Sequence, residues 1–276
     1  MRVRIATARD VQGTDTDEPL LCAALAALGV TVAVAPWDDP RPWGEALPTV
    51  IRSTWNYLHH PEAFAAWAQR VGASTTLHND AGTVTWNLHK GYLVDLARRG
   101  LPVVPTALVR RGEAFSLAAL PSTTGWVVKP AVSAGSFATR RFEATDVTRG
   151  QAFLAELAAQ RDVLVQPYLP SVTDHGERCL IVLDGVVSHA VRKEPCFEGD
   201  PVGVFAPVAV APEEAALATA VLRTLPQMPL YGRVDLARDE EGALRLMELE
   251  LIEPFLFLAG AEGACERFAR AIASRL

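Results

Sequence analysis

The first third of the chain alternates short apolar runs with amphipathic stretches. "RVRIATA" and "TVAVAP" are β-rich runs. Between them "DEPLLCAALAALG" has the helical period and a closing Gly29. "TVIRS" predicts a third strand, and the helix after it starts at Pro61 in "HPEAFAAWAQRVG" and stops at Gly72. Strand–helix–strand alternation predicts a small α/β domain with a parallel sheet over residues 1–85.

In "WNLHKGYLVDLARRG" the residues Leu88, Tyr92 and Leu96 recur at i, i+4 and i+8, and Gly100 supplies the stop. This spacing predicts a helix that carries Lys90. Beyond Gly100 the texture changes to strands joined by turns: "VVPTALV", "GWVVKPA", "FATRRFE", "VLVQPYL", "RCLIVLDGVVSHAVRK" and "YGRVDLARDEEGALRLMELEL". Asp184-Gly185 between two alternating runs predicts a tight hairpin. Helical patterns at about 148–160, 212–225 and 262–275 interrupt the strands, so residues 86–276 read as an α+β region.

The segment "ALRLMELELIEPFLFLAG" puts charge where the pattern is most apolar. On a strand Glu248 and Glu250 share one face, and Leu249 and Leu251 share the other. With Asp235 on the preceding strand, three carboxylates would repel one another unless cations compensate. Hard oxygen ligands of this kind suit Mg2+. The competing account is a solvent-facing polar stripe partly neutralised by Arg233 and Arg245. Glu253, before Pro254, is a further candidate.

Lys129 ends the strand "WVVKP", and four residues later "SAGS" (Ser133, Ala134, Gly135, Ser136) would let backbone N–H groups approach an anion. An ordinary turn explains the same residues. Lys90 reads equally as a surface lysine. "VLVQPYLP" stops at Pro167 and Pro170; it is either a plain strand end or a hinge whose free backbone groups read a flat ring.

Composition narrows the classes. At 276 residues the chain has room for about two domains. Half of it is hydrophobic, and a net charge of −6 argues against general nucleic-acid binding. No run approaches the roughly 18 apolar residues of a membrane span. "MRVRIATARD" reads as a first strand rather than a signal peptide. Cys22, Cys179, Cys196 and Cys265 are scattered without a CxxC, which predicts reduced thiols in a cytoplasmic protein. The six histidines form no metal-binding pattern, and no G-x-S-x-G elbow is present.

The order of these signals is more specific than any one of them. A small α/β domain, a helix lysine, "VVKP", "SAGS", "LVQPYL", "GERCLIVLDGVVSHAVRK" and "GRVDL…LMELELIEP" together resemble the ATP-grasp superfamily, in its glutathione-synthetase-like branch. "WDDPRPW", "IRSTWNY", "KPAVSAGS", "SHAVRK" and "ELELIEP" look like the ATP-grasp cyclo-ligases that close O-ureido-D-serine in D-cycloserine biosynthesis. The resemblance covers nearly the whole chain.

It implies an ATP-grasp fold: a pre-ATP-grasp α/β domain over 1–85, then an ATP-grasp domain over 86–276 with a small lobe at about 100–165 and a large lobe at about 166–276. Lys90 and Lys129 would contact ATP phosphates, with Ser133 to Ser136 closing over them. Gln166, Tyr168 and Leu169 would border the adenine, largely through backbone. Glu177, or else Asp174, would take the ribose. Arg192 and Lys193 would face the γ-phosphate and the acyl phosphate. Asp235, Glu248 and Glu250 would hold Mg2+, with Mn2+ as a substitute, and Arg52 would face the substrate. One departure stands out: between Lys193 and the run "VGVFAPVAV" there is only "EPCFEGDP", with no Arg where glutathione-synthetase-like enzymes usually carry a substrate-facing one. Glu250 also replaces the Asn common at that position in glutathione synthetases.

The implied activity is an ADP-forming carboxylate–amine ligase acting on small molecules, with no nucleic-acid or membrane partner and with homo-oligomers common among its relatives. Acyl phosphates hydrolyse, so the "SAGS" loop would serve as a lid that excludes water. A glutathione-synthetase-like dipeptide or amino-acid ligase, a kinase-like phosphotransferase and a degenerate nucleotide-binding domain are the alternatives.

Overall fold

A computed structural model describes residues 1–11, 15–195, 197 and 205–276. Cys196 and most of the short segment after Lys193 lie outside the described residues, as do the first three residues of "VGVFAPVAV".

The chain begins with a parallel sheet in the order β2-β1-β3-β4. Its strands are β1 (Arg2–Thr7), β2 (Thr31–Pro36), β3 (Thr49–Ile51) and β4 (Leu77–His78). Helices α1 (Asp17–Ala27), α2 (Pro61–Ser74) and α3 (Ala81–Asn87) connect and follow them. Helix α2 starts on Pro61, whose missing N–H costs nothing in a first turn. Both sheet faces are covered, so β1 is buried from Val3 to Thr7.

The expected helix around Lys90 is broken in two. Helix α3 ends at Asn87 and α4 (Tyr92–Arg98) begins after Gly91. The Lys90 N–H leaves the helical ladder and donates to the Ala131 carbonyl at 2.7 Å. That tertiary bond lies beyond the reach of any local pattern.

A small antiparallel sheet follows in the order β5-β8-β6-β7. It comprises β5 (Ala107–Val109), β6 (Trp126–Pro130), β7 (Arg140–Phe142) and, after helix α5 (Val147–Ala158), β8 (Val163–Pro167). One face buries Trp126, Val128, Phe142, Val163 and Val165 under Leu154 and Leu157 of α5.

The short helix α6 (Ser171–Asp174) leads into a larger antiparallel sheet, ordered β11-β10-β9-β12-β13. Its strands are β9 (Glu177–Leu183), β10 (Val186–Lys193), β11 (Phe205–Val208), then, after α7 (Pro212–Leu222), β12 (Tyr231–Arg238) and β13 (Leu244–Glu250). The hairpin between β9 and β10 turns on Asp184 and Gly185, with φ of 55° and 73°. Two left-handed residues suit the twist of the paired strands. Helix α8 (Ala264–Ala273) closes the described chain.

Its Phe268 and Ile272 pack with Val3 and Ile5 of β1, Leu21 and Leu25 of α1, and Cys179 and Ile181 of β9 in one apolar cluster. The first domain and the large sheet therefore share a core rather than meeting across a linker. The cluster of the small sheet, by contrast, is drawn from residues 107–165 alone.

Strand β13 carries a bulge that the sequence does not announce. Asp235 faces Glu248 across the ladder, and the next pair is Leu236 with Leu246, so Met247 is an extra residue. The bulge reverses the alternation at that point. Leu246 and Leu249 both reach the same buried cluster, and Glu248 and Glu250 keep the opposite face.

The outer edge of β13 bonds the backbone of Pro102 and Val104 at Leu246, and beyond it is covered by side chains. The Tyr92 hydroxyl accepts from the Leu249 N–H at 3.0 Å and donates to the Leu249 carbonyl at 2.8 Å. The Asn87 amide donates to the Leu249 carbonyl and accepts from the Leu251 N–H, both at 2.8 Å. Asn79 spans the Tyr231 and Leu251 carbonyls at 2.7 and 2.8 Å. Groups that would otherwise invite another strand are thereby satisfied.

Candidate active site

On the face of the large sheet opposite Leu249, the ladder itself assembles a charged cluster. Asp235 lies opposite both Glu248 and Cys179, Arg233 lies opposite Glu250, and Lys193 lies opposite Glu177. Directly paired residues project to the same side, so these side chains crowd one end of the sheet.

Lysines from outside that sheet point at it. Lys90, in the break between α3 and α4, places Nζ 3.0 Å from Glu248 Oε1. It also donates to the Ser133 carbonyl. Lys129, at the end of β6, places Nζ 3.6 Å from Glu248 Oε2. Burial alone would raise the Glu248 carboxyl; the charges of Lys90 and Lys129 and the Lys90 hydrogen bond outweigh it and bring it down to about 2. Burial likewise opposes the charge on Lys90, but Glu248 overcomes it and raises the Lys90 pKa.

Beside them sits Arg233, which grips Asp235 with two hydrogen bonds of 2.8 Å and donates to Glu250 as well. Asp235 is 1% exposed, so this guanidinium satisfies an acid that water cannot reach. Burial raises the Glu250 carboxyl to about 7; Arg233 opposes the rise, and Asp235 and Glu248 add to it. Arg245, the other neutralising candidate, pairs instead with Asp239 in the turn before β13, at 2.7 Å.

Lys193 Nζ is 3.0 Å from Glu177 Oε2. Oxygens of Glu177 and Asp235 lie with the Cys179 sulfur inside a 4.8 Å group. Glu177 thus stands beside Asp235. Asp174 is exposed at the end of α6. Arg192 and Lys193, expected to face the phosphates together, are neighbours on β10 and face opposite ways. Arg192 instead donates to the His175 carbonyl at 2.8 Å and lies 3.6 Å from Glu194.

The residues expected near adenine sit where the small sheet meets the large one. Gln166 is opposite Val127, on the face of the small sheet that carries Lys129, and donates to Thr106 Oγ1 at 3.0 Å. Leu169 belongs to the large-sheet core. The Tyr168 ring lies 3.6 Å from the Arg141 guanidinium, a cation–π contact. Its backbone is already engaged: the N–H donates to the Gly125 carbonyl at 2.9 Å, and the carbonyl accepts from Thr124 Oγ1 at 2.5 Å. Gly125 has φ of +90°, and a Cβ there would lie 2.0 Å from the Phe142 carbonyl oxygen, so only glycine fits.

The loop from Ser133 to Ser136 runs beside the first domain. Gly135 and Ser136 have φ of 58° and 60°. Val132 and Ala134 pack on the Trp37–Phe64–Trp67 cluster, and the Phe137 ring meets His59 edge-on at 5.7 Å.

Arg52 is 1% exposed, and its Nε, buried with the rest of the side chain, has no hydrogen-bond partner. It donates to the Pro254 carbonyl at 3.0 Å and lies 3.8 Å from both Asp15 and Asp17. It thus sits between the first domain and the 252–258 segment. The residues beside Glu253 that sequence reasoning missed are Trp55 and Tyr57, three and five positions beyond Arg52. Their signal was present in "IRSTWNY", where aromatic residues follow a strand end, but nothing local tied them to Glu253. Glu253 is 8% exposed, and its carboxyl meets the Tyr57 hydroxyl.

Comparison with known proteins gives the family. Residues 3–79 match the family model of the D-cycloserine synthetase DcsG N-terminal domain. The cycloserine biosynthesis protein DcsG of Streptomyces lavendulae is 36% identical over 282 residues, covering 95% of this chain and 94% of that protein. A crystal structure of D-cycloserine synthetase DcsG superposes with a TM-score of 0.91 at 33% identity, covering 100% of this chain and 99% of the other. The ATP-grasp ligase PsnB, solved with a minimal precursor, Mg and ADP, shares the fold at a TM-score of 0.64 and 18% identity, covering 99% of this chain and 97% of the other. ATP and Mg2+ are the family's general requirement. The chain belongs to the D-cycloserine synthetase DcsG family, among the ATP-grasp ligases that form C–N bonds at the expense of ATP.

Proposed function

We propose that this protein is an ADP-forming cyclo-ligase that closes O-ureido-D-serine, or a close analogue, through an acyl phosphate. One observation carries the reading: Lys90 and Lys129, from separate elements, converge on Glu248, which stands opposite Asp235 in the β-ladder. Lysines are wanted there for phosphates, and ionised oxygens for a hard cation. The residues present fit both. Glu248 is held ionised, and Asp235 and Glu250 add oxygen donors of the type Mg2+ takes together with substrate phosphates. Mg2+, when bound, would neutralise phosphate charge; Mn2+ would suit the same donors.

In this reading Lys90, Lys129 and Lys193 spread positive charge around the transferring phosphoryl group. The loop Ser133 to Ser136 covers it, Gln166, Tyr168 and Leu169 wall the adenine, and Asp174 takes the ribose. Arg52 keeps the 252–258 segment in place instead of touching substrate. The substrate carboxylate attacks the γ-phosphorus, ADP leaves, and the substrate nitrogen then displaces phosphate from the acyl carbon.

The ATP requirement suits a cytoplasmic enzyme. Among the described residues no helix is long and apolar enough to cross a membrane. The reading also admits a homo-oligomer, which analytical ultracentrifugation would count. A phosphate-release screen over O-ureido-D-serine, free amino acids and dipeptides, with products read by mass spectrometry, tests the substrate. A cyclised product from the first alone is expected, and a linear dipeptide would overturn the cyclo-ligase reading.

A further inference from the structure

Three residues past Glu250, the chain buries another acid, and the scaffold around it is unusually well fixed. Three successive carbonyls are clamped: Ile252 accepts from the Tyr231 hydroxyl at 2.8 Å, Glu253 from the Trp55 indole at 3.2 Å, and Pro254 from Arg52 at 3.0 Å. Two of the three donors come from the first domain and one from β12. The Glu253 carboxyl lies by Tyr57 of the first domain and within reach of the Lys90, Glu248 and Glu250 charges.

What surrounds its carboxyl does not complete it. Tyr57 donates one hydrogen bond, and Lys90 acts at longer range; Glu250 and Glu248 oppose its charge. A carboxylate has about four acceptor positions, so one phenol leaves most of them open. Burying an acid on these terms costs several kcal/mol. Once ionised, the acid lacks a donor. The reaction proposed above has such a donor to place: the N–H that attacks the acyl phosphate must sit beside the phosphates, near Glu253.

We propose that Glu253 receives the N–H of the nucleophile and holds it over the activated carboxyl carbon, with Tyr57 as the residue that positions the acid. As the C–N bond forms, the C–O bond to phosphate breaks, inorganic phosphate departs with that electron pair, and the proton passes from nitrogen to the Glu253 carboxylate. Burial, reinforced by Glu250, raises this carboxyl to about 8, in keeping with a group that takes up a proton near neutral pH. The ligand class is a small molecule with both a carboxylate and an N–H nucleophile. The inference rests on the ligase reading.

The test uses the full chain with O-ureido-D-serine, ATP and Mg2+, and adds hydroxylamine to trap acyl phosphate as a hydroxamate. Glu253→Gln should keep ATP-dependent hydroxamate formation while ring product per phosphate released falls about 100-fold, the scale of a lost general base. Tyr57→Phe should lower ring formation less and leave the KM for ATP unchanged. Hydroxamate formation also certifies that each variant is folded. Glu253→Asp, which retains the carboxylate, should recover part of the product. Parental ring formation by Glu253→Gln would overturn the proposal, as would equal loss of ring and hydroxamate. An unaltered enzyme that yields neither would overturn the ligase reading and this inference with it.

Discussion

At the scale of single residues, the site works by setting charges against one another at close range. Glu248 is the hinge of that balance, because two lysines from outside its sheet share its oxygens. Glu248→Gln should abolish ATP turnover, with circular dichroism unchanged; turnover within about tenfold of the parent would remove Glu248 from the phosphate site, since a lost electrostatic contact of this kind costs about 100-fold or more. Glu253 gives a separate prediction. Its carboxyl, ordinarily near 4.5, is raised to about 8, so the folded chain holds the proton more tightly than the unfolded one. The stability this supplies is full below about 4.5 and is lost as pH rises towards 8. Glu253→Gln should leave Tm unchanged at pH 5 and raise it at pH 9, by roughly 3–6 °C if 1–2 kcal/mol is recovered. An equal shift at both pH values would contradict the assignment. These residues were legible as types and spacings, since Glu248, Glu250 and Asp235 announce themselves by alternation. Their partners were not. Arg52 sits at a strand end, and its contacts with Pro254, Asp15 and Asp17 lie beyond any local pattern.

At the scale of elements, the local rules explain most of what forms. Pro61 opens α2, Asp184-Gly185 makes the hairpin, and the strand–helix alternation of residues 1–85 builds a parallel sheet. The exceptions occur where tertiary contacts override the pattern. Lys90 leaves its helix because Ala131 takes its N–H, and Met247 becomes a bulge because Leu246 and Leu249 must both reach the core. Around Leu249 the outer edge of β13 depends on side chains, so Tyr92→Phe should leave the Leu249 N–H without its partner, while its carbonyl keeps the Asn87 amide. The expected loss is about 1–3 kcal/mol in urea unfolding. A loss below about 0.5 kcal/mol, the size of an ordinary surface change, would show that the edge does not need this hydroxyl.

At the scale of the whole molecule, the apolar clusters divide the chain differently from its sequence. The first domain and the large sheet share one core through α1, α8 and β9, and they hold the 249–258 segment between them. The small sheet keeps a core of its own on one face, sends Leu164 into the large-sheet cluster from the other, and contributes Lys129 and the loop that follows it. The acids are therefore fixed by a common body, and the chemistry is assembled where two cores adjoin. That partition was invisible in the sequence, because it depends on α8 packing against strands from the opposite end of the chain.

The central claim is that a substrate carboxylate is activated by phosphorylation and then captured by nitrogen. Carboxylate-18O-labelled O-ureido-D-serine, incubated with the protein, ATP and Mg2+, tests it most directly by mass spectrometry of the released phosphate. The account predicts one 18O atom in each phosphate released with a cyclised product. Ring product with unlabelled phosphate would contradict it.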